Sequence, residues 1–366
     1  MLKSTHKKYT LNFKQASGTS RGILKQKDSF FIFIWEETNP DIVGIGECGL
    51  LKGLSVDDRP DYEQKIIEVC KNIQHYQMFL DQDLEAFPSI RFGLEMALMD
   101  LGVLGESGNG GYKGYKGYRG NRVLFPTNFT LGKDSIDING LVWMGEFDFM
   151  KQQIREKIDS GFSCIKLKIG AIDFEMELEL IKSIRKEFSA KDIEIRVDAN
   201  GAFFSEEALD KLKQLAAFDL HSIEQPIKQG QWEKMAELCE KSPLPIVLDE
   251  ELIGINDLTK KAKLLKVIKP QYIILKPSLL GGFKASEEWI QIAKNNDIGW
   301  WITSALESNI GLNAIAQWTY TLNSKMPQGL GTGQLYTNNF NSPLEIKSGK
   351  LYFDHSKGWD LKNLIQ

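Results

Sequence analysis

Soft metal ligands are scarce in this sequence: 366 residues contain four cysteines and four histidines. Cys48, Cys70, Cys164 and Cys239 lie far apart, with no CxxC pair and no Cys/His metal spacing. A zinc-ribbon site and a disulfide framework are thereby excluded, and the thiols read as structural ones in a reducing compartment. His6, His75, His221 and His355 do not cluster, and there is no Ser-His-Asp set or Gly-x-Ser-x-Gly elbow. No apolar run approaches the ~20 residues of a membrane span, so no membrane role is expected. The opening Met-Leu-Lys-Ser-Thr-His-Lys-Lys-Tyr lacks an apolar signal core, and a cytoplasmic location is expected. Charge of one sign is also missing. Lys and Arg number 45 against 49 Asp and Glu, a net charge of −4, which gives no support for non-specific nucleic-acid binding. What remains is an ordinary globular composition, 42% hydrophobic and 26% charged.

The length suggests more than one core, at ~100–200 residues per domain. The first part reads as strands at 9–13, 29–36 and 42–48, an antiparallel meander. Helical patterns follow from Pro60 to about Gln77 and from Pro88 to about Leu104. A sheet followed by helices is an α+β unit. Residues 108–121 hold Gly-Tyr-Lys-Gly-Tyr-Lys-Gly-Tyr-Arg-Gly. Aromatic and basic residues in a Gly-rich loop could hold single-stranded nucleic acid, but a linker between domains is the expectation. From Thr127 onward strands alternate with helices. Helices are predicted over 142–160 and 173–188 and from a Ser205 cap to Ala217, with strands at 163–169, 193–197, 220–224, 245–248 and 272–275. Successive βα units without a Gly-rich phosphate turn favour a closed β/α barrel over an open doubly wound sheet.

Charged residues stand at the C-terminal ends of the apolar runs. They are Lys166 and Lys168 in Cys-Ile-Lys-Leu-Lys-Ile-Gly, Asp198 and Asn200 in Ile-Arg-Val-Asp-Ala-Asn-Gly, Glu224 in Ser-Ile-Glu-Gln-Pro, Asp249 in Ile-Val-Leu-Asp-Glu-Glu, and Lys276 in Ile-Ile-Leu-Lys-Pro. A lone Asp or Lys of this kind is most often a surface ion pair. A whole series at strand ends points to one site at a barrel mouth, where catalytic residues from several strands converge. Three adjacent carboxylates cannot all ionise cheaply, and a divalent cation removes that cost. All-oxygen ligands favour a hard ion, Mg²⁺ first and Mn²⁺ second. Such an ion leaves room for a substrate carboxylate and can stabilise the charge formed when an α-proton is lost. A lysine acting as base needs a pKa brought down toward ~7–8, and a second lysine and a cation push that way.

These motifs, in this order, resemble the enolase superfamily and its muconate-lactonizing subgroup. The resemblance covers nearly the whole chain. It implies an α+β capping domain at 1–122 that includes the 108–121 linker, a modified (β/α)₇β barrel at 123–335, and a segment at 336–366 that returns to the capping domain. It implies Mg²⁺ on Asp198, Glu224 and Asp249, proton handling by Lys166, Lys168 and Lys276, and an enolate-type intermediate. Within the subgroup, Ser304-Ala-Leu-Glu-Ser308, Arg196 and Gly329-Leu-Gly-Thr-Gly-Gln-Leu resemble the o-succinylbenzoate synthases, dehydratases of menaquinone synthesis. Dipeptide epimerases of the subgroup carry an Asp-x-Asp near the last strand, whereas no acid lies between Gln328 and Asn339 here. The implied substrate is a small carboxylate bound by Arg196, Asn200, Ser304, Leu306, Ser308 and Leu51. The loop from Cys48 to Ser55 is the expected lid. The runner-up is a dipeptide or N-acylamino-acid epimerase. A homo-oligomer is compatible with the composition, which does not fix the assembly.

Overall fold

The computed structural model describes residues 1–19, 22–104 and 121–365, without the side chains of 16–19. The Gly/Tyr/Lys segment expected as a linker therefore lies, except for Asn121, outside the described residues.

Three antiparallel strands, β1 (Leu2–Thr19), β2 (Gly22–Glu36) and β3 (Asn39–Cys48), form the first sheet. They run longer than the apolar patterns suggested, because hydrogen bonding continues into polar sequence. Side chains alternate along a strand, and on β2 this alternation separates two cores. Phe31 and Phe33 join the barrel core, while Phe30, Ile32 and Ile34 join the helices of the N-terminal unit. The sheet is thus buried on both faces. Helix Pro88–Leu101 begins with proline and ends at Gly102 in the left-handed conformation. It lies so close on β3 that a Cβ at Gly46 would meet the Gly93 carbonyl oxygen at 1.8 Å. The helix expected over 60–77 is interrupted. Tyr62–Lys71 is α-helical, and a 3₁₀ turn at Ile73–His75 and a π-turn at Phe79–Asp83 follow.

The second sheet has seven parallel strands. They are β5 (Gly140–Val142), β6 (Cys164–Lys168), β7 (Glu194–Asp198), β8 (Ser222–Glu224), β9 (Ile246–Leu248), β10 (Tyr272–Leu275) and β11 (Gly299–Ile302), neighbours in sequence order. Residues 328–329 close the curl. Asn139 N–H donates to Gln328 O at 2.9 Å and Gly329 N–H to Ile302 O at 2.8 Å, so this segment joins the two edge strands. The result is the TIM-like (β/α)₇β barrel with an α+β cap. The helix expected from Val142 starts only at Phe147, because Val142 belongs to β5. Ser205 is the first helical residue rather than the cap, and its hydroxyl turns to Glu206.

The C-terminal part touches both units. Tyr9 Oη donates to Asn338 O at 3.0 Å and Lys14 N–H to Leu335 O at 2.8 Å. Beyond that, β12 (Leu344–Lys347) pairs with β13 (Lys350–Phe353), and β13 in turn pairs with β4 (Ser135–Asp137), at the entry to the barrel.

Candidate active site

Parallel register brings the charged strand ends level with one another. Lys168 is paired with Asp198, and Asp198 with Glu224, across β6, β7 and β8. Asp249 and Lys276 stand directly after β9 and β10. Each of these side chains is held by its neighbours. The Lys166 ammonium donates to Glu224 and lies 2.9 Å from Asp198 Oδ2. Lys168 Nζ donates to Asp198 Oδ2 at 2.9 Å and to Asn200 Oδ1 at 2.7 Å. Lys276 donates to Asp249. Asn200 Nδ2 donates to Glu250 Oε1 at 3.0 Å.

Burial sets the electrostatics of this cluster. Burial alone would lower the pKa of Lys166, but the Asp198 and Glu224 carboxylates beside it outweigh that and hold it well above the usual lysine range. Lys276 is raised for the same reason, with Asp249 as its main partner. Both move opposite to the direction that a lysine base needs. Burial would raise Asp198, yet Lys166 and Lys168 bring it below the usual carboxylate range. Burial and then the neighbouring Asp198 push Glu224 up. Four carboxylates, Asp198, Glu224, Asp249 and Glu250, therefore share three lysines.

Among the described residues, no three acidic, His or Cys groups form a ready-made metal cage, since lysine ammoniums lie between the carboxylates. The residues nevertheless fit a hard cation. All donors are carboxylate oxygens, and Glu224 Oε1 is buried without a hydrogen-bond partner. Such an oxygen is costly unless it is satisfied.

The cluster opens into a cavity of about 710 Å³, within the range of small-molecule sites. Lys166, Lys168, Asp198, Asn200 and Lys276 line it on the barrel side. Glu224 and Asp249 do not, because they lie behind the lysines that bind them. Leu51, Lys52, Gly53 and Leu54 of the expected lid line the side facing the cap. Ser304 and Leu306 also line it. Ser304 Oγ shares a 2.5 Å hydrogen bond with Thr332, and Leu306 takes a φ of 62°.

Two residues expected to touch substrate are elsewhere. Arg196 is one pleat below Asp198, buried inside the barrel. It donates to Glu194 Oε1 at 2.7 Å and to Pro327 O at 2.9 Å, and stacks 4.2 Å from the Trp301 ring centroid. The alternation that aligns it with Asp198 also places it too deep. Ser308 is fully buried and caps helix Asn309–Thr321, where its hydroxyl donates to Glu47. Sequence reasoning in turn missed Glu250, Trp143, Thr332 and Lys14. Glu250 was legible as the neighbour of Asp249. Thr332 lay within the Gly329–Leu335 segment already singled out, whereas Trp143 and Lys14 sit in segments without a motif.

The Enolase C-terminal domain-like family model matches residues 149–361. The chain belongs to the enolase superfamily. The o-succinylbenzoate synthase of Desulfotalea psychrophila is 44% identical over 96% of this chain and 98% of its own length. The crystal structure of MenC from that organism superposes with a TM-score of 0.81 at 41% identity, over 96% of this chain and 99% of that one. The hydrophobic dipeptide epimerase of Enterococcus faecalis is more distant, 26% identical over 84% of this chain and 83% of its own. The fold is also that of the muconate lactonizing enzyme of Pseudomonas fluorescens. That structure has a TM-score of 0.80 at 21% identity, covering all of this chain and 97% of its own.

Proposed function

We propose that the protein is an o-succinylbenzoate synthase acting in menaquinone biosynthesis. It would convert 2-succinyl-6-hydroxy-2,4-cyclohexadiene-1-carboxylate to 2-succinylbenzoate by syn-dehydration through an enediolate. The observation that carries this reading is the 44% identity along nearly the whole chain to a protein of that name. The cavity supports it. Lysines suit an anionic substrate, and apolar Leu51, Leu54 and Leu306 suit its ring. Lys14 and Lys52 put positive charge on the capping side, which suits a second carboxylate.

In this proposal Lys168, as the neutral amine, removes the proton α to the ring carboxylate. The resulting ammonium returns that proton to the departing 6-hydroxyl, which leaves as water. The ring becomes aromatic and Lys168 is neutral again. Lys276, across the cavity, is a fixed cation that stabilises the delocalised anion. Lys166 positions Asp198 and Glu224 and adds positive charge beside Lys168. Mg²⁺, with Mn²⁺ as the second choice, would be held by Asp198, Glu224 and Asp249 and would supply stabilisation of the charge growing on the substrate carboxylate. The cap loop at 48–55 excludes water. We place the capping unit at 1–122, the barrel at 123–335 and the returning segment at 336–366, with cytoplasmic residence. Among the described residues, no helix is long and apolar enough to cross a membrane.

The test is the absorbance change on dehydration, measured with Mg²⁺ and after chelation. Turnover that is lost on chelation and restored by Mg²⁺ is expected. No turnover, together with exchange of the α-hydrogen of a dipeptide, would replace this reading by epimerisation. The absence of an acid between Gln328 and Asn339 to take a substrate ammonium argues against that outcome.

A further inference from the structure

A second buried charge cluster lies between the cap and the barrel, apart from the catalytic lysines. Its centre is Glu47 on β3, which is fully buried. Glu47 Oε1 accepts Ser308 N–H at 2.9 Å and Ser29 Oγ–H at 2.8 Å. Glu47 Oε2 accepts Ser308 Oγ–H at 2.5 Å and Gly311 N–H at 3.0 Å. Lys27, also buried, lies 3.9 Å from the same carboxylate and donates to Ser29 Oγ at 2.9 Å. Beside them, Glu307 accepts Ala305 N–H at 2.7 Å and is hydrogen-bonded to Ser278 Oγ. Gly49 packs on this pair, where a Cβ would come within 3.1 Å of both Glu307 Cγ and Ser278 Oγ.

The two ends of this chain of contacts matter. Between Ala305 and Glu307 stands Leu306, held in a left-handed turn, with its carbonyl accepting Tyr336 Oη–H at 2.6 Å. Leu306 is a wall of the cavity. Ser278 is two residues past Lys276, in the short helix Pro277–Leu280. A carboxylate from the cap is thus wired to the substrate wall and, through Glu307, to the strand end that carries Lys276. A pure domain glue could have been apolar at lower desolvation cost. A network with every Glu47 acceptor site used instead specifies one geometry.

We propose that Glu47 is a positioning residue: through Ser308 and Glu307 it sets the cap against Leu306 and the Lys276 strand end, and so fixes the substrate cavity. The kinetic form of the test rests on the proposed dehydration. Glu47→Gln removes acceptor capacity and takes from Lys27 its nearer counter-charge, leaving Glu307 as the other. Its KM is expected to rise about ten-fold or more while kcat changes less than about three-fold, since Lys168 is untouched. Lys27→Met/Glu47→Gln removes the under-paired charge, so its thermal midpoint should recover toward wild type while KM stays high. KM within about two-fold of wild type in the single variant, or KM returning together with stability in the double, would overturn the proposal. If neither variant folds, Ser308→Ala, which loses one hydrogen bond to Glu47, is judged by the same KM criterion. If wild type itself shows no turnover, the dehydration reading falls. The positioning claim is then decided by amide exchange at 278–281 in Ser308→Ala, at the Lys276 strand end and away from the helix that Ser308 caps. Lost protection there supports it, and unchanged protection sinks it.

Discussion

The two levels of β7 show how differently one barrel can use buried charge. At the top, Asp198 and the three lysines face a cavity, and Glu224 beside Asp198 keeps an oxygen without a partner. One pleat below, Arg196 is equally buried, but it is bonded to Glu194 and Pro327, stacked on Trp301, and does not line that cavity. The upper arrangement is over-supplied with carboxylate and open to a ligand, whereas the lower one is packed shut. Arg196 Nη2, like Glu224 Oε1, is buried without a hydrogen-bond partner, so buried charge with unmet valence marks a site only where open space accompanies it.

Substitutions should separate the two levels. Lys276→Ala, at the top, is expected to lower kcat by about 10²–10⁴-fold with the fold retained, as measured by steady-state kinetics and circular dichroism. Arg196→Met, at the lower level, should do the reverse. It strips Glu194 of its main partner and uncovers Trp301, costing ~2 kcal/mol in denaturant unfolding. That figure is discounted from the value for a fully buried pair because the Glu194 side chain is 31% exposed. Activity of the folded fraction should stay near wild type, and a large loss of kcat would break the comparison.

Two further buried carboxyls test burial without lysines. Burial raises Glu95 from 4.5 to about 7, although it accepts Phe283 N–H at 2.7 Å. Burial likewise raises Asp57 from 3.8 to about 6, against the hydrogen bonds from Ser89. Folded pKa values above the unfolded ones mean that the folded state keeps its protons longer. The stability they contribute is full below the unfolded values and falls as pH rises toward 6 and 7. The thermal midpoint should decline over that interval, and Glu95→Gln should flatten part of the decline. The smallest effect is expected for Ser304→Ala. Losing the hydrogen bond to Thr332 should cost about 1 kcal/mol, read as a few-fold rise in KM.

Much of this architecture was legible because the barrel repeats one rule. Apolar runs ending in Lys, Asp or Glu identify β6 to β10 and the level of their charged ends. The first strand was not legible: Gly140–Val142 is too short to show a period, and the helical pattern after it absorbed Val142. Nor could periodicity show that the helix after Pro60 breaks at Asn72. The site divides in the same way. Residues at strand ends were found by spacing. Those away from the barrel strand ends, such as Lys14 on β1, Trp143 after β5 and Thr332 in the 3₁₀ turn Gly331–Gln334, reach the cavity by tertiary packing alone. Arg196 misled because period-2 alternation gives a side chain's direction but not its depth. Ser308 misled because a helix cap and a substrate hydroxyl look alike in sequence.

The central claim is that Lys168 moves the proton in a dehydration at the barrel mouth. The most direct measurement is the rate of the absorbance change with the cyclohexadiene substrate and Mg²⁺, for wild type and for folded Lys168→Ala side by side. Turnover in wild type and a loss of at least about 10²–10⁴-fold in the variant is predicted. A variant within about ten-fold of wild type would contradict it.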